Sequence, residues 1–440
     1  MSVTVPGPVS GARRPRLLTA LPGPRAAAIV ARDAKALSSS FTRPYPLVVE
    51  RGEGLWLTDV DGNEFLDLTA GIAVNSTGHS HPAVVAAIET QARKFLHMSG
   101  TDFYYESELR LAERLRDLAP VRPEARVFFT NSGAEAIEGS IKLARWSTKR
   151  QNMLAFVGAF HGRTMGALSL TGSKAVQRDG FAPLVPGVFH APFPSASPGG
   201  MTSDDVFRRI DEIFHTVAKP ESFAAVFVEP IQGEGGYIVP PDDFLPRLRA
   251  LTREHGILLV ADEIQSGMGR TGKLFAVEHS GIDVDIVTLA KGIASGLPLG
   301  AIIAGGGIMS WPPGSHGSTF GGNPVSCAAA LVTLDLIEGG LMQNSIRRGE
   351  TLRAGLEELR GRYPALITDV RGRGLMLAIE LPPGGAANEL MLASFMRGLL
   401  LLPTGSRAIR LSPALTISEA EVAVGLEILD ASFAQLAPAA

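Results

Sequence analysis

Short apolar runs that alternate with amphipathic segments constrain the fold of this chain more than any other feature. The apolar runs occupy residues 126–130, 153–158, 223–228, 257–262, 285–290 and 300–304. Helical spacing of apolar residues marks the segments 82–97, 105–118, 133–148 and 243–255. Strands joined through helices form the right-handed crossovers of a parallel sheet. The pattern predicts an α/β fold with a mostly parallel central sheet flanked by helices.

The chain on either side of this alternation has a different pattern. Residues 24–38 indicate a short amphipathic helix, and residues 48–68 alternate around Asp61-Gly62 in the manner of an antiparallel hairpin. A long apolar helix runs from Pro324 to about residue 338, and a small α+β domain is indicated beyond it by helices at 345–361, 388–399 and 417–434 and strands at 374–381 and 408–411. We predict a disordered tail (1–22), an N-terminal segment that contributes to the small domain (23–80), a large domain (81–335) and a C-terminal small domain (336–440).

Composition excludes several classes of function. A net charge of −3 gives no electrostatic reason to bind nucleic acid. A single cysteine, Cys327, excludes an intrachain disulfide framework and favours a reducing compartment. No apolar run approaches the roughly 18 residues that span a bilayer. The first 20 or so residues are rich in proline, glycine and arginine, which favours a disordered tail over an organellar transit peptide. We expect a cytoplasmic protein without a membrane segment.

Two neighbouring apolar runs end in residues of complementary chemistry, Asp262 and Lys291. If both runs are strands of one sheet, the carboxylate and the amine lie at the same edge. A lysine can hold the aldehyde of pyridoxal phosphate covalently, and a buried aspartate can keep the pyridine nitrogen of that cofactor protonated. A lone lysine after a core strand is more often solvated, so the assignment depends on the residues around it.

The segment Phe128–Ala136 is a strand that passes through a turn of small residues into a helix. Ser132, Gly133 and Ala134 come at the start of this helix, where free amides and the helix dipole favour a dianionic phosphate. Ordinary N-capping by Asn131 or Ser132 explains the same residues. The segment is therefore a candidate phosphate site.

Phe160 and Arg163 follow the run 153–158. The phenylalanine can lie against one face of a flat heterocycle, and the arginine fork suits a substrate carboxylate. Core packing of Phe160 and a surface ion pair of Arg163 are the alternatives.

A glycine-rich turn after the run 223–228 carries two acids, Glu229 and Glu234, which would be costly there without partners. Arg410, which interrupts a short apolar strand, is the expected partner of Glu234. Thr319 lies in a further turn and can donate its hydroxyl to a phosphate, although a simple loop is the favoured interpretation of this turn taken by itself.

From about residue 40 to 435 the chain resembles the class III, fold-type I pyridoxal-phosphate aminotransferases. The motifs that carry the resemblance occur in family order and are Gly71-Ile-Ala-Val-Asn, Thr130-Asn-Ser-Gly-Ala-Glu, Phe160-His-Gly-Arg-Thr, Glu229-Pro-Ile-Gln-Gly-Glu-Gly-Gly, Asp262-Glu-Ile-Gln-Ser-Gly-Met-Gly-Arg-Thr-Gly, Leu289-Ala-Lys-Gly and Ser318-Thr-Phe-Gly-Gly-Asn-Pro.

The resemblance implies a role for each cofactor residue. Lys291 would bind the cofactor covalently and move the proton, and Asp262 would pair with the pyridine nitrogen. Gln265 would contact the ring hydroxyl, Phe160 would stack on the ring, and the phosphate would be held by Ser132, Gly133 and Ala134. Thr319 would reach the phosphate of a neighbouring subunit, which implies a homodimer or a dimer of dimers. No metal ion is implied.

Within the family the chain is most similar to 4-aminobutyrate aminotransferases. There the residues matching Ile72, Arg163 and Glu234 line the substrate pocket, and the arginine matching Arg410 binds the α-carboxylate of glutamate. Ornithine and acetylornithine aminotransferases share most of these positions. An acid at Asp102 would suit a substrate with a second ammonium group if it faced the pocket, whereas its alternative role is the N-cap of the next helix.

The resemblance implies a two-step reaction. An ω-amino acid gives its terminal amine to the cofactor, and 2-oxoglutarate then accepts the amine and leaves as glutamate. Racemisation of amino acids on the same scaffold is the closest alternative, because both reactions begin with proton removal at the cofactor-bound carbon. A cofactor-binding regulator is disfavoured, since the arginine-rich first 20 residues are too short for a DNA-binding extension.

Overall fold

The computed structural model describes residues 11–121 and 124–437. The strands are β1 (Val49–Glu53), β2 (Trp56–Asp59), β3 (Glu64–Asp67), β4 (Arg126–Thr130), β5 (Asn152–Phe156), β6 (Val188–Ala191), β7 (Phe223–Val228), β8 (Leu258–Asp262), β9 (Ile286–Leu289), β10 (Gly300–Ala304), β11 (Asp369–Arg373), β12 (Met376–Glu380), β13 (Leu399–Leu400), β14 (Leu402–Thr404) and β15 (Ala408–Leu411). The helices are α1 (Pro24–Ala36), α2 (Ala70–Ala73, a single turn), α3 (Pro82–Lys94), α4 (Glu106–Leu118), α5 (Gly133–Thr148), α6 (Met165–Leu170), α7 (Ser203–Thr216), α8 (Phe244–Glu254), α9 (Pro324–Leu336), α10 (Met342–Arg362), α11 (Ala386–Phe395) and α12 (Glu419–Leu436).

The central sheet has seven strands in the order β4-β10-β9-β8-β7-β5-β6. Strand β10 runs antiparallel to both of its neighbours, and the other pairs are parallel. Helices cover both faces, which is why β7 is apolar at every position: Val226 and Val228 pack into one core, and Ala225 and Phe227 into the other. The predicted mostly parallel sheet is confirmed.

Two smaller four-stranded sheets use the remaining strands. One has the order β11-β12-β15-β14, and the other has the order β1-β2-β3-β13. Strand β3 pairs in parallel with β13, so the N-terminal hairpin is joined to the C-terminal part of the chain. We therefore propose the division predicted from the sequence, with residues 23–80 completing a small domain formed by the chain beyond residue 336.

The predicted disordered tail at 1–22 needs a correction over residues 11–22, while residues 1–10 lie outside the described part. The backbone N–H of Arg16 donates to the carbonyl of Glu64, and Arg13 forms a 3.1 Å ion pair with the side chain of Glu64. Arg14 lies 2.7 Å from Glu427 on α12. The arginines that suggested a solvated tail thus have partners on the hairpin and on α12.

The two predicted helices on either side of residue 340 form one bent helical segment. Helix α9 passes through a wider turn at Ile337–Leu341, where Gly340 has φ +144°, and continues into α10. By length and composition the segment Pro324–Arg362 could cross a bilayer. In this fold α9 packs against α3 and α10 packs against α12, as helices of a protein core do.

Candidate active site

Asp262 and Lys291 lie together at one edge of the central sheet. Asp262 ends β8, whose register places it opposite Thr288 of the parallel strand β9, and Lys291 follows that strand by two residues. Lys291 begins a short 3-10 turn and has φ +46°, a conformation that turns the chain sharply away from the strand. The predicted convergence of the carboxylate and the amine is confirmed.

A cavity of about 430 Å³ opens at this edge. Most of the residues singled out from the sequence line it, namely Ser132, Gly133, Ala134, Phe160, Arg163, Asp262, Gln265 and Lys291. They come from the turns that follow four different strands. The fold, rather than sequence proximity, therefore assembles the site.

The N-terminus of α5 faces this cavity. Ser132 is its N-cap and accepts a hydrogen bond from the N–H of Glu135 at 3.2 Å. The first amides of a helix have no acceptor within the helix, so Gly133 and Ala134 offer N–H groups to an anion. A side chain at Gly133 would lie 2.8 Å from Ile264, and one at Gly162 would lie 2.9 Å from Ala134. The two glycines permit the close packing around this helix end.

Asp262 is held by three donors. His161 Nδ1 lies 2.7 Å from Oδ2, and Oδ1 accepts from the Ile264 N–H at 3.1 Å and from the Thr288 hydroxyl at 3.3 Å. Burial lowers the pKa of His161, but the hydrogen bond and the charge of Asp262 outweigh it, so the net shift is upward. A protonated His161 gives the aspartate a positively charged hydrogen-bond donor. No role was predicted for His161 from the sequence, although its position directly after Phe160 indicates that it lies close to the site.

Glu229 is a second buried acid behind the site. Its two oxygens accept from the Phe160 N–H and the Gly233 N–H, each at 3.0 Å. Burial raises the pKa of Glu229 to about 7, and the positive charge of His161 opposes this shift. Glu229 therefore fixes the backbone that presents Phe160. The sequence analysis singled out Glu229 as a costly buried acid but assigned no function to it.

Gln265 and Lys291 present polar atoms at the cavity. The Oε1 atom of Gln265 is buried and has no hydrogen-bond partner within residues 11–121 and 124–437. Burial lowers the pKa of the Lys291 amine, while the carboxylates of Glu234 and Asp262 oppose that shift. A lowered pKa increases the neutral, nucleophilic fraction of the amine.

Arg163 is exposed, and its guanidinium carbon lies 5.7 Å from the centre of the Phe160 ring. No carboxylate of the described chain pairs with it, so the alternative of a surface ion pair is not observed. Glu234 and Arg410 do form an ion pair, as expected from the sequence, and both side chains are largely buried. Burial raises the pKa of Glu234, but the charge of Arg410 outweighs it and makes the net shift downward.

Like Glu234 and Arg410, three further residues singled out from the sequence are not among those that line the cavity. Ile72 is 41% exposed and lies in the left-handed turn α2, and Thr319 is exposed in a surface loop. Asp102 is also exposed, and the alternative role as an N-cap is wrong because Tyr105 occupies the N-cap position of α4. Phe103, Tyr104 and Tyr105 separate the acid from the first residue of α4.

No cluster of side chains suited to a metal ion occurs within the described ranges.

The family model for class-III aminotransferases matches residues 38–433. The chain is 40% identical to the 4-aminobutyrate aminotransferase GabT of Escherichia coli, over 92% of this chain and 97% of that protein. It is 37% identical to an alanine/serine racemase of Pyrococcus horikoshii, over 94% and 92% of the two chains.

Among solved structures, an amine transaminase from an uncultivated Pseudomonas species in its PLP-bound form superposes with a TM-score of 0.84 at 32% identity. The match covers 91% of this chain and 98% of that one. With the extent of the family match, this likeness shows the fold and the pyridoxal-phosphate cofactor. The chain belongs to the class-III aminotransferase family and is a pyridoxal-phosphate-dependent transaminase of fold-type I.

Proposed function

We propose that the enzyme moves the terminal amino group of an ω-amino acid, 4-aminobutyrate in first place, to 2-oxoglutarate, giving a semialdehyde and L-glutamate. The observation that carries the proposal is the buried ion pair of Glu234 with Arg410, whose charges influence the Lys291 amine, combined with an Arg163 that is exposed and unpaired within the described chain. Arg163 is therefore free to bind a carboxylate, whereas Arg410 is neutralised by Glu234. An enzyme that binds two substrates with different numbers of carboxylates requires such a difference between its arginines.

Bound pyridoxal phosphate supplies an aldehyde that joins the amine and a ring that absorbs carbanion charge. The residues present fit this cofactor. The N–H groups at the start of α5 can bind its phosphate, and Phe160 can cover one ring face. The Oε1 atom of Gln265, which has no partner among the described residues, can accept from its hydroxyl. Asp262, hydrogen-bonded to His161, can hold a proton on the ring nitrogen.

Lys291 has two tasks in the proposed reaction. Its amine would hold the cofactor between turnovers, and it would be free to act as a base when the substrate amine takes its place. The Nζ atom would then take the proton from the substrate carbon that carries the amine and deliver it to the former aldehyde carbon of the cofactor, on the other side of the joining nitrogen. The downward shift of the Lys291 pKa by burial favours the neutral amine that both tasks need.

The two substrates use the arginines differently. An ω-amino acid has a single carboxylate far from the reacting amine, and Arg163 would bind it. Glutamate and 2-oxoglutarate have a second carboxylate close to the reacting carbon, and Arg410 would bind that one after leaving Glu234. A bare Arg410 would be costly during the first step, since an uncompensated buried charge costs roughly 3–5 kcal/mol.

We predict opposite effects from the two members of this ion pair. Glu234→Gln should let α-amines of simple amino acids react faster, because Arg410 is no longer masked. Arg410→Ala should mainly slow the 2-oxoglutarate step. Single-turnover rates of each half-reaction measure both effects. The assignment is wrong if Arg410→Ala impairs only the ω-amino acid step.

A panel of amines tests the substrate. The loaded enzyme is mixed with each amine in the absence of an acceptor, and the loss of the visible absorbance of the bound cofactor is followed. We expect fast loss with 4-aminobutyrate and recovery on addition of 2-oxoglutarate. Fast loss with ornithine or N-acetylornithine and slow loss with 4-aminobutyrate favours the ornithine alternatives.

The likeness to an alanine/serine racemase gives a second candidate function. A racemase would convert one enantiomer of an amino acid into the other without an acceptor and without net loss of the bound-cofactor absorbance. Chiral chromatography of alanine and serine after incubation with the enzyme separates this outcome from transamination.

We also propose a homodimer, or a dimer of dimers, in which Thr319 reaches the phosphate of the partner's site. The segments 95–104 and 318–323 touch each other through a hydrogen bond of Thr101 to the Ser318 carbonyl and one of Asn323 to the Leu96 carbonyl. Both segments expose apolar side chains to solvent, namely Phe95, Leu96, Met98, Phe103, Tyr104 and Phe320. An exposed apolar patch of this kind suits a subunit interface.

The free, buried Cys327 supports the proposed cytoplasmic location.

The predicted dimer has a measurable consequence. Light scattering should give at least twice the chain mass of 46.4 kDa. Thr319→Ala should weaken cofactor binding without dissociating the dimer, because it removes one hydroxyl from an otherwise unchanged surface. A monomer that binds the cofactor as tightly as the assembled enzyme would contradict the proposal.

A further inference from the structure

A phenol lies beside Arg410 on one face of the small sheet. Ala378 of β12 is directly opposite Arg410 of β15, and directly opposite residues of paired strands project to the same face. Ala408 and Ser412 alternate with Arg410 along the chain and share that face. The ring of Tyr237 packs in one apolar cluster with Ala378 and Ala408. The small side chains thus leave room for the phenol next to the guanidinium.

The loop that carries Glu234 and Tyr237 is fastened to this sheet. The Thr404 hydroxyl donates to the Gly233 carbonyl at 2.8 Å, the Gly405 N–H donates to the Glu234 carbonyl at 2.9 Å, and Arg371 Nε donates to the Gly236 carbonyl at 2.8 Å. Any exchange of partners by Arg410 therefore involves side chains and not movement of this loop.

Arg410 and Tyr237 each have a buried polar atom in need of a partner. Arg410 bonds Glu234 through Nη1, while its Nε has no acceptor within the described residues. The Tyr237 oxygen is fully buried and completes no hydrogen bond within these same residues. Ser412 lies close enough to lower the pKa of the phenol, but its hydroxyl donates to the Thr69 carbonyl at 3.3 Å. A donor and an acceptor are therefore unsatisfied on the same face, and each is unfavourable when buried alone.

Electrostatics agrees with this proximity. Burial, the largest effect, raises the pKa of the Tyr237 phenol, and the positive charge of Arg410 is the strongest opposing influence. The phenol stays neutral, so it can accept a hydrogen bond from a guanidinium without competing as a second anion for it.

We propose that Tyr237 receives Arg410 Nε when the guanidinium leaves Glu234, and that it thereby sets the affinity for dicarboxylate substrates. The proposal rests on the exchange described under Proposed function. A hydrogen bond from Nε to the phenol holds the guanidinium plane while its Nη atoms turn to the substrate carboxylate. Tyr237 is then a positioning residue, needed only when the bound molecule has a carboxylate near the reacting carbon.

Tyr237→Phe tests this role because it keeps the ring over Ala378 and Ala408 and removes only the hydroxyl. We expect the acceptor 2-oxoglutarate to bind more weakly, with its KM raised about tenfold, the effect of one hydrogen bond to a charged group, and with little change in kcat. The half-reaction of the ω-amino acid should be unaffected. Tyr363→Phe is the matched control, since the Tyr363 hydroxyl bonds Asp430 at 2.8 Å in the same domain, away from Arg410.

Binding of unreactive acids to the loaded enzyme gives a second readout by calorimetry. Glutarate has two carboxylates and valerate has one, so Tyr237→Phe should weaken glutarate alone. Unchanged glutarate binding in the variant, or equal weakening of both acids, overturns the role of Tyr237. A parental enzyme that binds no glutarate and does not react with 2-oxoglutarate overturns the proposed function, and the role of Tyr237 with it.

Discussion

Replacement of Lys291 by alanine is expected to abolish transamination and leave a folded protein that still binds pyridoxal phosphate non-covalently. A positioned acid–base group contributes roughly 10²–10⁴-fold to a rate, and this lysine is also the covalent attachment point. Binding survives because the other contacts come from different segments: the start of α5, Phe160 and Asp262. The fold survives because the Lys291 side chain faces the cavity.

Three measurements check this prediction. The variant should lose the visible absorbance of the covalently bound cofactor, retain cofactor that dialysis or denaturation releases, and unfold at a temperature close to that of the parent. Lys273→Ala is the control, because Lys273 is an exposed lysine of the Thr271–Lys273 turn and does not line the cavity. Substantial activity, or a surviving covalent linkage, in Lys291→Ala would show that another amine holds the cofactor.

Elements whose local signals agree with their packing are predictable from the sequence. The runs 223–228 and 300–304 coincide with β7 and β10, since strands covered on both faces must be apolar at every position. Helix α5 also has the predicted bounds, because Ser132 provides the N-cap and Glu135 lies in the first turn. In these elements the pattern and the packing carry the same information.

Elements that depend on distant partners are not predictable in this way. Strand β11 contains Asp369, Arg371 and Arg373, and no apolar run marks it; Arg371 is accommodated by ion pairs with Asp369 and Glu380. The two-residue strand β13 exists through its pairing with β3, which is more than 300 residues away along the chain. Such pairing leaves no local pattern.

The residues of the candidate site likewise include some that could be placed from the sequence and some that could not. Asp262 and Lys291 could be placed together because parallel neighbours end at the same sheet edge. The contact of His161 with Asp262 joins the turn after β5 to the end of β8, and that contact requires knowledge of the strand order. A histidine beside Phe160 is visible in the sequence, but the carboxylate that it faces is not.

Replacement of Asp262, the partner of His161, is the second change for which we expect a large effect on the reaction rate. Asp262→Asn should slow the half-reaction by about 10- to 1000-fold, since one neighbouring charge shifts a pKa by roughly 1–3 units and the ring nitrogen would lose its anionic partner. A neutral ring nitrogen no longer draws charge from the substrate carbon. The amide has nearly the shape of the carboxylate, so the packing around it remains.

The fold should tolerate this change because His161 can adjust its charge. In the parent, Asp262 raises the pKa of His161 against the effect of burial. In the variant only the weaker effect of Glu229 opposes burial, so the pKa of His161 falls. The buried histidine then becomes neutral instead of remaining an unpaired cation. The protonated pair of the parent persists until the pH rises through the raised histidine pKa, whereas the variant histidine loses its proton at lower pH.

Stopped-flow measurement of the half-reaction across pH tests both statements, with Glu263→Gln as the matched control. Glu263 is the next residue and equally buried, but its oxygens accept from the Ser266 hydroxyl at 2.6 Å and the Val277 N–H at 2.7 Å, away from the cavity. Burial already raises the pKa of Glu263 to about 7, so loss of its charge should leave the half-reaction close to the parental rate. Loss of a direct charge partner, which shifts a pKa by roughly 1–3 units, should slow the half-reaction at least about tenfold. If the half-reaction rate of Asp262→Asn also stays within about tenfold of the parental rate, another group must protonate the ring nitrogen.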